Sequence, residues 1–218
     1  MRKKPSASGA VGRVVARARS RVRTGSRSRG RLREATTALL DERDAADITV
    51  TDIVAAAGVS RPTFYAAYPD LGQAFADAAL ARLAEVFAGV DPDGDLLDGD
   101  PLDPESLGDI DPQVQVALGR LEPHIGFFVR VLRGPSGMTV IRGSVEYVAE
   151  RILQGPVLGP ALARGPMEPV AAARALAAAV VWTAVDWAVD EERRLLDELV
   201  SDIALLLRRS IAGGLGGA

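Results

Sequence analysis

The chain has 218 residues, 48% of them hydrophobic and only 5% aromatic, which suits one or two domains of helices packed closely through small side chains. Cysteine is absent and His124 is the single histidine, which excludes disulfides, thiolate zinc sites and cysteine nucleophiles and removes most of the material for His-based metal or catalytic centres. The net charge of −3 hides an asymmetry: twelve of the 26 basic residues lie in the first 33 positions, where there is no acid, and the remainder of the chain carries all 29 acids. That distribution fits a basic arm made for a polyanion, attached to a body that would be repelled by it.

Residues 1–28 are rich in Arg, Ser, Gly and Ala, with too few large apolar groups to offset the entropy of ordering, and are expected to form a disordered arm. Arg27, Arg29 and Arg31 lie where such an arm would meet DNA. A solvated tail and an organelle transit peptide are the alternatives for this composition.

From Arg31 to Arg43, Leu32, Ala35, Leu39 and Leu40 recur at helical spacing and predict a first amphipathic helix, broken at Asp44 to Asp47. Thr49 with Asp52 three residues later has the form of a capping box, and Ile53, Val54 and Ala57 give the next helix, Val50 to Ala57, an apolar face. Gly58 stands where a helix end needs a left-handed residue, Val59 is an apolar plug, and Ser60 can cap a third helix over Arg61 to Ala67 with Pro62 in its first turn. Pro69 stops that helix. Asp70 can cap a fourth, carried to about Ala88 by Phe75, Ala79, Leu83, Val86 and Phe87.

Residues 89–112 change to Asp, Gly, Pro and Leu and predict an acidic loop. Asp91-Pro-Asp93-Gly-Asp95 lacks the glycine at the sixth position and the glutamate at the twelfth that a calcium loop requires, so no metal is expected. Beyond it, helices are predicted over Gln113 to Arg120, Pro123 to Arg133 and Met138 to Gln154. A break follows from Gly155 to Pro166, then two longer helices, Met167 to Val189 and Glu191 to Ile211. No stretch approaches about 18 uninterrupted apolar residues, so no membrane span is expected and the protein is read as cytoplasmic.

Residues Thr49 to Tyr68 contain the parts of a helix-turn-helix: two short helices, a glycine at the turn, an apolar residue after it and an apolar anchor, Phe64, on the second helix. The run Ala57-Gly-Val-Ser-Arg-Pro-Thr-Phe-Tyr-x-x-Tyr68 resembles the N-terminal signature of the tetracycline-repressor (TetR) family of transcriptional regulators. The resemblance covers Arg29 to Phe87 strongly and the remainder only as an Ala- and Leu-rich helical region. It implies an all-α protein of about nine helices: a three-helix DNA-binding domain with a connecting helix (29–88), the acidic loop (89–112), and a C-terminal helical ligand-binding and dimerisation domain (113–218).

By that resemblance Thr49 and Thr51 contact phosphates, aided by a helix N-terminus, while Ser60, Arg61, Thr63 and Tyr65 fall on positions that touch DNA. Arg61 can read guanine through its planar fork, and Tyr65 suits a phosphate. The sequence departs from the family pattern at Val54, where Ala is preferred, at Ala66 and Ala67, which replace polar residues, and at Leu71, which replaces a lysine.

In the C-terminal half, His124, Phe127, Phe128, Tyr147, Trp182 and Asp186 combine apolar bulk with a few polar handles and are candidates for an effector site; core packing comes ahead of a ligand role for each aromatic, and a surface ion pair explains Asp186 as well. Ala171, Ala172, Ala175, Ala178 and Ala179, with Leu195, Leu199, Ile203 and Leu206, suit either a homodimer interface through residues 167–211 or an intramolecular helix pair. The resulting expectation is a sequence-specific regulator of double-stranded operator DNA, a repressor released by a small-molecule effector, with no cofactor. The alternative is a helical interaction protein whose helix-turn-helix no longer reads DNA. An enzyme lacks the material: there is no glycine-rich phosphate loop and no nucleophile elbow.

Overall fold

A computed structural model describes residues 26–88, 110–155 and 157–212. The proposed basic arm, apart from its last three residues, and residues 89–109 of the acidic loop lie outside these ranges. All regular structure among the described residues is helical. In chain order it comprises α1 (26–42), α2 (Val50–Ala57), α3 (Arg61–Ala67), α4 (Leu71–Phe87), α5 (Ile110–Leu121), α6 (Ile125–Leu132), α7 (Gly137–Gln154), α8 (Leu158–Ala163), α9 (Pro169–Val189) and α10 (Leu196–Ala212). Two 3-10 turns, Ala45–Asp47 and Glu122–His124, join α1 to α2 and α5 to α6.

Local chemistry sets the boundaries of the first four helices. Thr49 and Asp52 close a reciprocal capping box on α2, Gly58 takes φ 60° and ψ 42° at its end, and Ser60 and Asp70 accept from Thr63 N and Gln73 N to cap α3 and α4. Each cap is worth about 1 kcal/mol. Three short helices therefore start and stop at fixed residues, which holds the helix-turn-helix angle.

Several boundaries differ from those expected. Helix α1 already covers 26–28, which the basic arm was to include. Helix α5 starts at Ile110, because Pro112 in a first turn removes only a donor that has no partner there. Pro123 enters a 3-10 turn rather than α6. The expected break from Gly155 to Pro166 contains α8, held by buried Ala161 and Leu162. The last helix starts at Leu196 rather than Glu191: residues 191 and 192 form a turn, and Trp187 Nε1 donates to Arg194 O at 2.9 Å, which ties down the non-helical link.

Two apolar cores result. The first joins α1 to α4 around Leu32, Phe64, Tyr68 and Phe75 and continues into α6 and α7 through Phe127, Phe128, Val131 and Val140. The second lies among α5 and α7 to α10, around Leu118, Ile152, Leu176 and Leu199. Gly143 lets α7 approach α4, since a Cβ there would stand 2.6 Å from a Leu80 methyl. Helix α9 has 21 residues, and its most apolar 18-residue window, with a mean hydropathy of 1.4, is apolar enough to cross a membrane by length and composition alone, but Arg174 and Asp186 interrupt its apolar run and one face packs on α7 and α10.

Candidate nucleic-acid interface

Helix α3 is anchored from beneath by Phe64, fully buried and in edge contact with Tyr65 at 5.4 Å. Burial of that ring is worth about 1.5–3 kcal/mol, which fixes the opposite side of α3 outward. There Arg61 and Tyr65 are exposed, Tyr65 by 57%, and Thr63 is half-buried.

The polar groups of this face are linked. Arg61 Nη2 donates to Thr51 Oγ1 at 2.6 Å, bridging the recognition helix to α2, and the Ser60 and Thr63 hydroxyls share a hydrogen bond of 2.9 Å. Thr49 Oγ1 donates to Asp52 Oδ2 at 2.6 Å and its backbone N–H donates to the same oxygen at 2.8 Å. These two bonds hold the Asp52 carboxyl below the ordinary aspartate range, so it is ionised under neutral conditions. Thr49, Thr51, Ser60, Arg61, Thr63 and Tyr65 thus share one pair of helices and the turn between them.

The three arginines assigned to the arm or its edge have different surroundings. Arg27 is exposed on α1. Arg31 Nη2 donates to Gly58 O at 3.1 Å, so this side chain braces the turn of the helix-turn-helix. Arg29 Nη2 meets Asp77 Oδ1 at 2.7 Å and its guanidinium lies 5.1 Å from the Tyr68 ring centroid.

Tyr68, almost fully buried, donates its hydroxyl to Asp77 Oδ2 at 2.6 Å. Burial first, then the Asp77 carboxylate, pushes the phenol well above its usual value. Burial alone would raise Asp77, but the Arg29 and Tyr68 hydrogen bonds outweigh it and leave the carboxyl lowered. Arg29, Tyr68 and Asp77 therefore lock α1, the end of α3 and α4 together. The sequence reading assigned Arg29 to DNA and did not anticipate this lock, since no local spacing relates residues 48 apart.

Residues 32–70 match the family of bacterial regulatory proteins, tetR family. The match takes in the helix-turn-helix and the helix before it, and over that stretch the chain is similar to the family. No curated protein matches the chain as a whole. Sixteen chains of solved structures do, among them RolR, crystallised without ligand, at 20% identity and a TM-score of 0.48 over 84% of this chain and 96% of that one.

In the C-terminal half a cavity of about 100 Å³ lies among α4, α5, α6, α7 and α9. Its walls include Leu83, Ile125, Phe128, Val140, Val181 and Ala184, and Ser144 is the one polar side chain in the lining. Of the six residues named for an effector site, Phe128 alone lines it. Phe127 faces the Arg82 guanidinium at 4.4 Å, Tyr147 stacks on Phe87 at 6.2 Å, and His124 sits in the 3-10 turn. Trp182 is 58% exposed and Asp186 is exposed, on the outer face of α9. The wall residues recur at helical spacing, at 140, 141, 144 and 148 and at 180, 181, 184, 185 and 188, a pattern that core packing produces equally.

Between the cavity and the helix-turn-helix lies a polar joint. Arg82 grips Asp41 with two bonds of 2.5 and 2.8 Å, and Arg130 donates to Leu40 O and Asp41 O at 2.7 Å each. Helices α4 and α6 thereby hold the C-terminal end of α1.

Proposed function

We propose that the protein is a repressor that binds a near-palindromic operator as a homodimer through α9 and α10 and is released by a small-molecule effector held in its C-terminal half. The observation that carries the DNA half of this reading is the face of Arg61, Thr63 and Tyr65 on a doubly capped helix anchored by buried Phe64. In this reading Arg61 reads a base edge, Tyr65 and the threonines hold phosphates, and the cations of the first 33 residues other than Arg29 and Arg31 add sequence-independent attraction. Arg29 and Arg31 serve instead to hold α1, the turn and α4 in register.

The dimer reading is supported by the outer face of α9, where Ala171, Ala175, Ala178 and Trp182 are exposed at helical spacing, beside exposed Leu205 on α10. Small residues permit close approach and one large aromatic supplies an anchor, the composition of an interface core. Two recognition helices would then meet one DNA face about 34–36 Å apart.

The release reading is supported by the shared wall: Phe128 lines the cavity, and on the same helix Phe127 and Arg130 touch the joint to α1. Sedimentation of the purified protein with and without a duplex operator tests the arrangement. A dimer that binds one duplex per two chains supports it, and a monomer at micromolar concentration binding one duplex per chain refutes it.

A further inference from the structure

We propose that the cavity behind α6 takes a compact, neutral, apolar molecule of about four to six non-hydrogen atoms, carrying at most one hydrogen-bonding group that meets Ser144. Its regulatory meaning rests on the effector reading above; its chemistry rests on the walls alone.

Size sets the first limit. An enclosed apolar cavity of about 150 Å³ accepts benzene, and this space, which is partly open to solvent and holds about 100 Å³, suits one small ring or a short branched chain. An α-helix is about 10–12 Å across with its side chains, so no helix of a partner enters. Water is a poor occupant too, because a buried water needs two to four polar partners and Ser144 is the only polar side chain in the lining.

Charge sets the second limit. No ionisable side chain lines the cavity, and an unpaired ion moved out of water into such a space loses its hydration with nothing to replace it. A carboxylate or ammonium ligand is thereby rejected, whereas a hydroxyl or carbonyl finds Ser144. Branched walls from Val140, Val181 and Ile125, together with small Ala184, favour a compact shape over a long chain.

Position distinguishes this space from a packing defect. Phe128 in the wall is in edge contact with Phe127 at 5.3 Å, and Phe127 lies under the Arg82 guanidinium that grips Asp41 of α1. An occupant that moves Phe128 therefore pushes directly on the joint to the DNA-binding helices.

The test uses the full-length protein with cyclopentanol as neutral probe, cyclopentylammonium and cyclobutanecarboxylate as charged probes of similar size, and cyclopentane as the probe without a polar group. Binding is read from thermal shift and from Val and Leu methyl NMR shifts. Cyclopentanol is expected to bind saturably, at least about 30-fold more tightly than either ion. Ser144→Ala should weaken cyclopentanol about 2- to 10-fold and leave cyclopentane unchanged. Ala184→Phe, or Ala188→Leu if the first variant does not fold, should fill the space and abolish binding of both. Equal binding of the ions, undiminished binding to the filled variants, or no neutral binding up to the solubility limit overturns the proposal, the last marking a packing defect. Operator release is titrated separately: cyclopentanol that binds without releasing DNA leaves the cavity chemistry standing and refutes the effector reading.

Discussion

Gly58→Ala is the most direct perturbation of the helix-turn-helix, because the turn depends on one left-handed residue at φ 60°. A non-glycine residue in that region costs about 1–2 kcal/mol, and reduced freedom of the unfolded chain returns about 0.4–1 kcal/mol. The new Cβ would stand 2.7 Å from Arg31 Nη2, so the guanidinium must swing off Gly58 O and forfeit an exposed hydrogen bond worth about 0.5–1 kcal/mol. The net loss is about 1–2 kcal/mol, or a fall in melting temperature of about 2–8 °C for a chain of this length. Chemical denaturation of the wild type, Gly58→Ala, Arg31→Ala and the double variant separates the contributions: without Arg31 the alanine should cost only its backbone strain. Operator affinity should fall with Gly58→Ala, because the recognition helix is aimed by this turn. A Gly58→Ala protein within 0.3 kcal/mol of wild type that binds operator normally would refute the reasoning.

Arg61→Ala should lose about 1–3 kcal/mol at one base pair of each half-site, whereas Tyr65→Phe should weaken all sequences alike; a binding-site library read by sequencing distinguishes these, and a uniform loss for Arg61→Ala makes it a phosphate contact. Asp77→Asn should destabilise by about 1–2 kcal/mol at pH 7. Because Asp77 is lowered in the fold, its contribution is full above the unfolded value of about 3.9 and disappears as pH falls through the lower folded value, so the two proteins should converge in melting experiments in strong acid. Trp182→Arg should shift sedimentation toward monomer without lowering monomer stability, since the ring is 58% exposed; an unchanged dimer moves the interface elsewhere.

The DNA-binding half was legible because its signals are local. Thr49 with Asp52, Gly58, Ser60 and Asp70 are capping and turn residues whose chemistry acts within three or four positions, and the structure uses each of them in the expected role. What escaped depends on distance along the chain. The Arg29–Tyr68–Asp77 lock, the Arg31 brace and the grip of Arg82 and Arg130 on the end of α1 join residues 9 to 90 positions apart. An arginine in a basic stretch carries no mark of whether it faces a phosphate or a carboxylate of its own fold. The cavity was missed for a related reason: its walls are aliphatic positions indistinguishable from core until five helices are assembled. Helix α8 was hidden by Gly and Pro, whose local cost tertiary burial of Ala161 and Leu162 offsets.

Selection of bound sequences from a randomised duplex pool tests the central claim most directly. A sequence-reading homodimer predicts enrichment of a near-palindrome with half-site centres about 10 base pairs apart, and loss of one base preference per half-site when the selection is repeated with Arg61→Ala. A pool that stays random, while the protein still binds duplex with a steep salt dependence, would contradict it and leave a helix-turn-helix that holds DNA without reading it.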